Sequence, residues 1–410
     1  EINDQMDIIK PITKWQTRVM DAKNIPAAVQ ESFLQLRTGR PRPVEIEIPP
    51  EALSELADPP NYLRAKIPMA TVDQVSVENG AAIITSSKNP VIWAGGGVHL
   101  SEASNELLAL AEYLQIPILT TPEGKGSISD QHYLSIGTPQ SRSTGNSKDP
   151  LLDFFYTRDV ILAVGTRFAY ADPKPYQQVV QIDIDPKEIV RNHKKTLSIL
   201  GDARQVLSQL LEAIKTKTKP KQNQKITFDI MRSNRYENPA NQVEPLASYV
   251  KALRRGMPDD AILVTDMTTI AYYARTHYQT YNPRSYFTSS YSGNLGSAFP
   301  TSLGIKVARP NQAVVSISGD GGFLFNSQEL ATAIQFNINV VAIVFNDHSH
   351  SNVERDMKEI FDSKSLGSEL KNPNFMKLAE AYGVTGMKAE NPDALEKSLR
   401  DAIALDKTVL

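Results

Sequence analysis

Short apolar runs alternate with amphipathic segments along most of the chain, and this pattern predicts parallel α/β layers. The predicted strands lie at 44–48, 90–95, 116–121, 159–165, 179–185, 261–266, 313–319 and 340–346. Predicted helices fill the intervals, for example from about residue 72 to Ser87 and from Ser101 to Leu114. Runs such as VVAIVF are apolar on both faces, as in strands covered by helices on both sides. The fold class predicted is therefore α/β, with doubly wound parallel sheets.

Two stretches interrupt this alternation and predict domain boundaries. The mixed sequence ADPPNYLRAKIPMA at 57–70 reads as a linker, and so does the Lys-rich KTKTKPKQNQK at 215–225. The chain then divides into residues 1–56, a central Rossmann-like domain at 71–214, a linker at 215–240 and a last domain at 241–410.

The segment GDGGFLFNSQELATAIQFNINVVAIVFND at 319–347 has the pattern of a helix between two buried strands. Asn326 and Glu329 are spaced as a capping box at the start of this helix. A β-α-β unit has parallel strands, so both strands end at the same edge of the sheet. We therefore expect Asp320 and Asp347, which follow the two strands, to lie close together.

Two carboxylates without nearby cysteine make a hard oxygen site, which suits Mg²⁺ or Ca²⁺. Gly319, Gly321 and Gly322 would let the backbone approach a phosphate closely. Gly-Asp-Gly alone is also typical of a tight turn, and Asp347 alone is typical of a loop. The 27-residue spacing between the two acids favours a shared site for metal and phosphate.

Composition narrows the class of protein. Lys plus Arg (44) nearly balances Asp plus Glu (46), which argues against a nucleic-acid partner. The absence of cysteine excludes thiolate metal sites and a cysteine nucleophile. The longest apolar runs are too short to cross a bilayer, and the first residues have no signal-peptide pattern, so we expect a soluble, cytoplasmic protein without a membrane partner.

With its Gly-Asp-Gly, helix, strand and Asn346-Asp347, the chain resembles the thiamine diphosphate enzymes of the acetolactate synthase and 2-oxo acid decarboxylase group. The family's second Asn is replaced here by Asp347. The resemblance extends along the chain in the family's domain order: residues 1–56 resemble the end of the pyrimidine-binding domain, with most of that domain missing upstream. Residues 241–410 resemble the diphosphate-binding domain, and the cofactors implied are thiamine diphosphate and Mg²⁺.

The resemblance implies roles for particular residues. Metal ligands would be the side chains of Asp320 and Asp347 and the carbonyl of Ser349. The implied cofactor-binding residues are Thr268, Thr269, Gly293, Leu295, Gly319, Asp320, Gly321, Gly322 and Asp347. Leu295 would hold the cofactor bent and the Gly293 carbonyl would contact its amino group, although Leu295 could also be a core residue and the threonines a helix cap.

The activity implied is decarboxylation of a pyruvate-like 2-oxo acid with carboligation, in which the cofactor acts as electron sink. The family's activating glutamate has no match here and is expected upstream of residue 1, and the family's site between subunits implies a homodimer or homotetramer. A simple 2-oxo acid decarboxylase and a 2-hydroxyacyl-CoA lyase stay open, because Asp356 stands near the position of an expected Trp. His348 and His350 are candidate acids or bases, or solvated loop residues.

Two interpretations that assign the chain to another class of protein remain open. Gly95, Gly96 and Gly97 follow a strand as in dinucleotide-dependent oxidoreductases, but Leu100 occupies the position of the third glycine. A non-catalytic subunit would also lack the activating glutamate. FAD is unlikely, because residues 136–146 do not reproduce the loop of flavin-binding acetolactate synthases.

Overall fold

The structure, a computed structural model, describes residues 4–58, 71–139, 149–169, 171–193, 196–238, 242–289 and 292–410. The linker predicted at 57–70 lies almost entirely outside the described residues. Among those described, no helix is both long enough and apolar enough to cross a membrane.

The first unit is a small parallel pair of strands with helices. Its elements are α1 (Gln5–Ile9), β1 (Trp15–Arg18), α2 (Ile25–Arg37), β2 (Val44–Glu47) and α3 (Pro50–Leu53). β1 pairs with β2 in parallel register. Arg42 joins this unit to the central one through an ion pair of 3.0 Å with Asp185.

The central unit is a six-stranded parallel sheet in the order β5-β4-β3-β6-β7-β8. Its elements are α4 (Gln74–Ser86), β3 (Pro90–Ala94), α5 (Gly97–Leu100), α6 (Ser104–Leu114), β4 (Ile118–Thr120), β5 (Ser135–Gly137), α7 (Pro150–Tyr156), β6 (Val160–Val164), β7 (Gln178–Asp183), β8 (Thr196–Leu200) and α8 (Ala203–Lys217). This strand order is that of a Rossmann fold, with the switch point between β3 and β6. The predicted central domain of this type is confirmed, and β5, β8 and α7 are additions to the prediction.

The glycine run after β3 makes a close backbone contact at this switch point. Gly97 donates its N–H to the carbonyl of Gly165, at 3.1 Å. Gly165 has a φ of +59°, and a Cβ added there would lie 2.5 Å from the Cα of Gly97. The glycines therefore allow the turns after β3 and β6 to pack against each other, which needs no nucleotide to explain it.

The segment predicted as a linker at 215–240 is largely helical. α8 ends at Lys217, and α9 runs from Lys225 to Tyr236. α9 contributes Arg235, whose Nη2 donates to the carbonyls of Thr138 (2.7 Å) and Thr276 (3.2 Å). Because Thr138 belongs to the central unit and Thr276 to the last one, this helix joins the two sheets.

The last unit is a four-stranded parallel sheet in the order β10-β9-β11-β12. Its elements are α10 (Leu246–Gly256), β9 (Ile262–Thr265), α11 (Thr269–His277), β10 (Tyr286–Thr288), α12 (Ala298–Ala308), β11 (Val314–Gly319), α13 (Asp320–Leu324), α14 (Glu329–Gln335), β12 (Val341–Phe345), α15 (Ser351–Ile360), α16 (Phe375–Ala381) and α17 (Pro392–Ala404). Two apolar clusters cover its two faces. The predicted fold class is confirmed.

The capping box predicted for the crossover between β11 and β12 is wrong. Two helices, α13 and α14, fill this crossover, and α14 begins at Glu329 without a side-chain cap. Asn326 instead donates from its Nδ2 to the carbonyl of Gly296, at 2.8 Å. The Asn326 side chain therefore bonds to a neighbouring loop, whereas its spacing predicted a bond at the start of the helix.

The contact between the two glycine turns predicts opposite effects for two glycine-to-alanine changes. Gly165→Ala places a methyl group against backbone at a left-handed φ, so we expect it to cost about 2–5 kcal/mol of folding free energy. Gly304→Ala is the matched control: the position lies in α12 with nothing within 4 Å of the added Cβ. It should gain up to about 1 kcal/mol from helix propensity. Urea unfolding midpoints measure both, and equal midpoints for the two variants would contradict this packing.

Candidate active site

The register of β11 and β12 decides which residues meet at the carboxyl edge of the last sheet. The two strands are parallel, with Gly319 opposite Phe345. The next residues, Asp320 and Asn346, therefore leave the sheet side by side. Asp347 lies one position further along the chain, so its side chain starts in a different direction.

Asp320 is a buried carboxylate, with 2% of its surface exposed. Its Oδ1 accepts the N–H of Gly321 at 2.8 Å, and its Oδ2 accepts the N–H of His348 at 2.8 Å. The Nδ2 of Asn372 also donates to Oδ2, at 2.6 Å. The carboxylate is thus fixed between the turn after β11 and the loop after β12.

Asn372 connects Asp320 to Asn346. The same Nδ2 donates to the Oδ1 of Asn346 at 2.7 Å, while the Oδ1 of Asn372 is buried without a hydrogen-bond partner. One amide nitrogen therefore lies between two side-chain oxygens, where a bound cation would also be attracted. Rotating this amide would turn its unpaired oxygen toward the same point. The oxygen donors present fit a hard cation such as Mg²⁺.

The three predicted metal ligands, Asp320, Asp347 and Ser349, do not converge on one point in this structure. The carboxylate of Asp347 accepts the N–H of Ser349 at 3.3 Å and the hydroxyl of Ser351 in a short contact. It therefore faces the start of α15 rather than Asp320. Within the described residues, no group of three His, Cys, Asp or Glu side chains is placed to hold a metal. Ligation by Asp347 would require its side chain to turn away from Ser351.

The glycines at the end of β11 and the start of α13 let other side chains approach the backbone closely. A Cβ added at Gly319 would stand 3.0 Å from the Oγ1 of Thr268, and one at Gly321 would stand 2.8 Å from the Nδ1 of His350. A larger residue at either position would force these side chains to move, which glycine avoids. Thr268 and Thr269 lie beside this glycine turn, at the N-terminus of α11. A glycine turn with adjacent hydroxyl groups fits a diphosphate.

Asp266 lies next to this glycine turn and holds three loops together. It is fully buried, and its carboxylate accepts the N–H groups of Met267 (2.9 Å) and Gly296 (2.9 Å). A Cβ added at Gly322 would lie 3.0 Å from its Oδ2. Burial raises the pKa of Asp266 above its usual value, and the backbone donors oppose this rise. Sequence reasoning treated Asp266 only as the end of a strand.

The loop after β10 carries the remaining predicted cofactor residues. Gly293 has a φ of +67°, and the Cε of Met267 lies 3.7 Å from where its Cβ would be. Leu295 is 38% exposed, so it is not a core residue. The structure therefore leaves this leucine available to a ligand, as the cofactor role requires.

The two candidate histidines are held mainly through their backbones. The N–H of His350 donates to the carbonyl of Ser368, and the carbonyl of His348 accepts the N–H of Leu370, each at 2.8 Å. The ring of His350 packs over Gly321, in the space that a Cβ there would fill. His348 is exposed and contributes its backbone N–H to Asp320, and its side chain makes no hydrogen bond within the described residues.

A cavity of about 620 Å³ lies at the switch point of the central sheet. Its lining includes Gly96, Gly97, Thr166 and Arg167 from that sheet and Arg40 from the first unit. Residues 140–146 of the segment compared with the flavin loop lie outside the described residues. The expectation that FAD is not bound stays a prediction.

Comparison with known proteins assigns both large units. Residues 77–210 match the family described as "Thiamine pyrophosphate enzyme, central domain", and residues 266–410 match "Thiamine pyrophosphate enzyme, C-terminal TPP binding domain". The probable acetolactate synthase large subunit of Methanocaldococcus jannaschii is 32% identical over 99% of this chain and 72% of its own length. The acetolactate synthase large subunit of Lactococcus lactis is 30% identical over 97% of this chain and 70% of its own.

The fold has a solved counterpart. Benzoylformate decarboxylase from Polynucleobacter necessarius superposes with a TM-score of 0.82 over 98% of this chain and 76% of that protein. The two sequences are 21% identical, so this comparison supports the architecture alone.

Because the carboxylate of Asp266 is buried, we predict that replacing it destabilises the fold, whereas replacing the exposed Asp260 does not. Asp266→Asn replaces one accepting oxygen by an NH₂ donor, which would face the N–H of Gly296 where Oδ2 now accepts it at 2.9 Å. We expect a loss of about 1–3 kcal/mol of folding free energy, measured by urea unfolding, and faster proteolysis in the loop at 292–297. Asp260→Asn, at an exposed position before β9, is the control and should stay within about 0.5 kcal/mol of the parent. Equal stability of the two variants would show that Asp266 does not hold these loops.

Proposed function

The chain belongs to the thiamine pyrophosphate enzymes related to acetolactate synthase large subunits, and we propose that it decarboxylates a 2-oxo acid and joins the remaining acyl unit to a second carbonyl compound. The observation that carries this proposal is the joint placement of a glycine turn and a buried carboxylate at one sheet edge. A diphosphate and its counter-cation need both features at one place.

Thiamine diphosphate, when bound, supplies the electron sink that the loss of CO₂ requires. In our proposal Gly319, Gly321, Gly322 and the threonines at 268–269 bind its diphosphate. Asp320 binds Mg²⁺, together with Asn346 or a rotated Asp347 and the carbonyl of Ser349. Leu295 and the carbonyl of Gly293 position the organic part, and His350 lies close enough to the glycine turn to donate a hydrogen bond to the phosphates.

Carboligation is favoured over simple decarboxylation because the relatives at 30–32% identity are named acetolactate synthase large subunits. The solved decarboxylase shares the fold at lower identity and does not carry the same weight. Decarboxylation alone, or cleavage of a 2-hydroxyacyl-CoA, would use the same cofactor site. We further propose that two or four copies associate.

Ligand-dependent melting tests the cofactor proposal. Thiamine diphosphate with Mg²⁺ should raise the melting temperature of the protein, because a ligand at 100 times its Kd adds about 2.7 kcal/mol to the folded state. NAD or FAD at the same concentrations should not, and Asp320→Asn should lose the shift. Stabilisation by NAD alone would contradict the proposal. In a chain extended upstream to include the activating glutamate, binding without release of CO₂ from any 2-oxo acid would favour a lyase or a non-catalytic subunit.

The same assay identifies the second metal ligand. If Asp347 turns to bind Mg²⁺, Asp347→Ala should abolish the Mg²⁺-dependent part of the shift and Asn346→Ala should retain it. If Asn346 is the ligand, as its contact through Asn372 suggests, the two variants should behave in the opposite way. Retention of the full shift in both variants would exclude a cation bridging these residues.

A further inference from the structure

Arg275, on α11, is half-buried, and the hydrogen-bond partners of its guanidinium in the described part of the chain are neutral. Its Nε donates to the Oγ1 of Thr288 at 3.3 Å, and its Nη2 lies 2.9 Å from the Sδ of Met267. The guanidinium also lies 5.0 Å from the centre of the Tyr272 ring. Guanidinium groups away from bulk water usually pair with an anion.

Two other arginines that are largely buried lie beside carboxylates, unlike Arg275. Arg235 lies 3.4 Å from a carboxylate oxygen of Asp149, and Arg167 lies 3.8 Å from one of Glu188. Arg275 is held instead by a hydroxyl group, a thioether and an aromatic face, which orient the group without forming an ion pair. It therefore keeps N–H donors for a further partner.

The position of Arg275 is next to the candidate cofactor residues. Met267 follows β9, and its Cε lies 3.7 Å from the Cβ position of Gly293. Thr288 ends β10, directly before the loop that contains Gly293 and Leu295. The guanidinium is thus separated from the proposed contact to the cofactor by one methionine side chain.

The positive charge of Arg275 lowers the pKa of two groups that border the space between α11, α15 and the central unit. Burial raises the pKa of Tyr272, and the positive charges of Arg275 and Arg355 lower it, while Asp356 and Asp266 add to the rise. Burial also raises the pKa of Glu123, which Arg275 and Arg167 oppose. Charged groups from three elements therefore face the same space, and α15 starts just after Asp347.

We propose that Arg275 binds a substrate carboxylate that is retained in the product. A guanidinium can hold a carboxylate through two parallel hydrogen bonds. Holding the carboxylate that leaves as CO₂ would stabilise the substrate more than the transition state, and so would slow the reaction. The retained carboxylate is either that of the acceptor 2-oxo acid or a second carboxylate on the donor. This inference rests on the proposed function and adds a specificity residue to it.

The test compares Arg275→Gln and Arg275→Lys with Arg309→Gln, an exposed arginine at the end of α12. The protein is loaded with thiamine diphosphate and Mg²⁺, and each variant must first show the parent's cofactor-dependent melting shift. Binding is read by calorimetric titration with lactate, a carboxylate that cannot be decarboxylated, and with its neutral amide. If Arg275 binds the acceptor carboxylate, Arg275→Gln should weaken lactate about 10- to 100-fold and leave the amide unchanged. Arg275→Lys should lose less, and Arg309→Gln should lose nothing.

Two kinetic arms identify the source of the carboxylate. If Arg275 binds the acceptor, Arg275→Gln should lower formation of the carbon–carbon bond from pyruvate while release of CO₂ continues. If it binds the donor's second carboxylate, KM for 2-oxoglutarate should rise and KM for pyruvate should not. These kinetic arms use a chain extended upstream to include the activating glutamate, and no release of CO₂ from any 2-oxo acid by that parent would overturn the proposed function. A parent that releases CO₂, with lactate binding and both kinetic arms unchanged in Arg275→Gln, would overturn the role of Arg275.

Discussion

The parallel pairing of β11 with β12 is the constraint on which the candidate site depends. Gly319 lies opposite Phe345, so the acid after the first strand and the amide after the second leave the sheet together. Asn372 then bonds to both side chains through one nitrogen. A shift of one residue in this register would send every side chain of β12 to the other face. The apolar clusters on both faces of the sheet oppose such a shift, since they would lose their packing.

The rest of the molecule keeps the loops at this edge in place. Asp266 fixes the loop after β10 to the end of β9, and Asn326 bonds to the same loop from the crossover after β11. Helix α9 and Asp130 of the central unit hold the central and last units together. The carboxylate of Asp130 accepts the N–H and hydroxyl of Thr280 at 2.9 and 3.0 Å. These contacts bring Glu123 of the central unit within the electrostatic influence of Arg275.

Pattern alone predicted the α/β class, the Rossmann-like central sheet and the β-α-β unit, because buried parallel strands are continuous apolar runs with few alternatives. The family resemblance, and not the pattern, implied that Thr268 lies near the diphosphate, and its Oγ1 lies close to Gly319. The pattern could not predict Asn372, which is 52 positions from Asp320 and meets it only through tertiary packing. The one-residue register that places Asn346 rather than Asp347 opposite Asp320 also lies beyond periodicity, since both residues follow the same strand. Asn326 shows the same limit, because a loop distant in sequence uses the side chain that local spacing assigned to a cap.

The most direct test is a crystal structure of the protein with thiamine diphosphate and Mn²⁺, which gives an anomalous signal in place of Mg²⁺. We predict a metal peak at the carboxylate of Asp320, about 2.0–2.3 Å from its oxygen, and a diphosphate over Gly319–Gly322 beside Thr268. The Asn372 amide should have moved from its contact between Asp320 and Asn346. A cofactor found instead at the glycine turns of the central sheet, or a metal bound away from Asp320, would contradict the account.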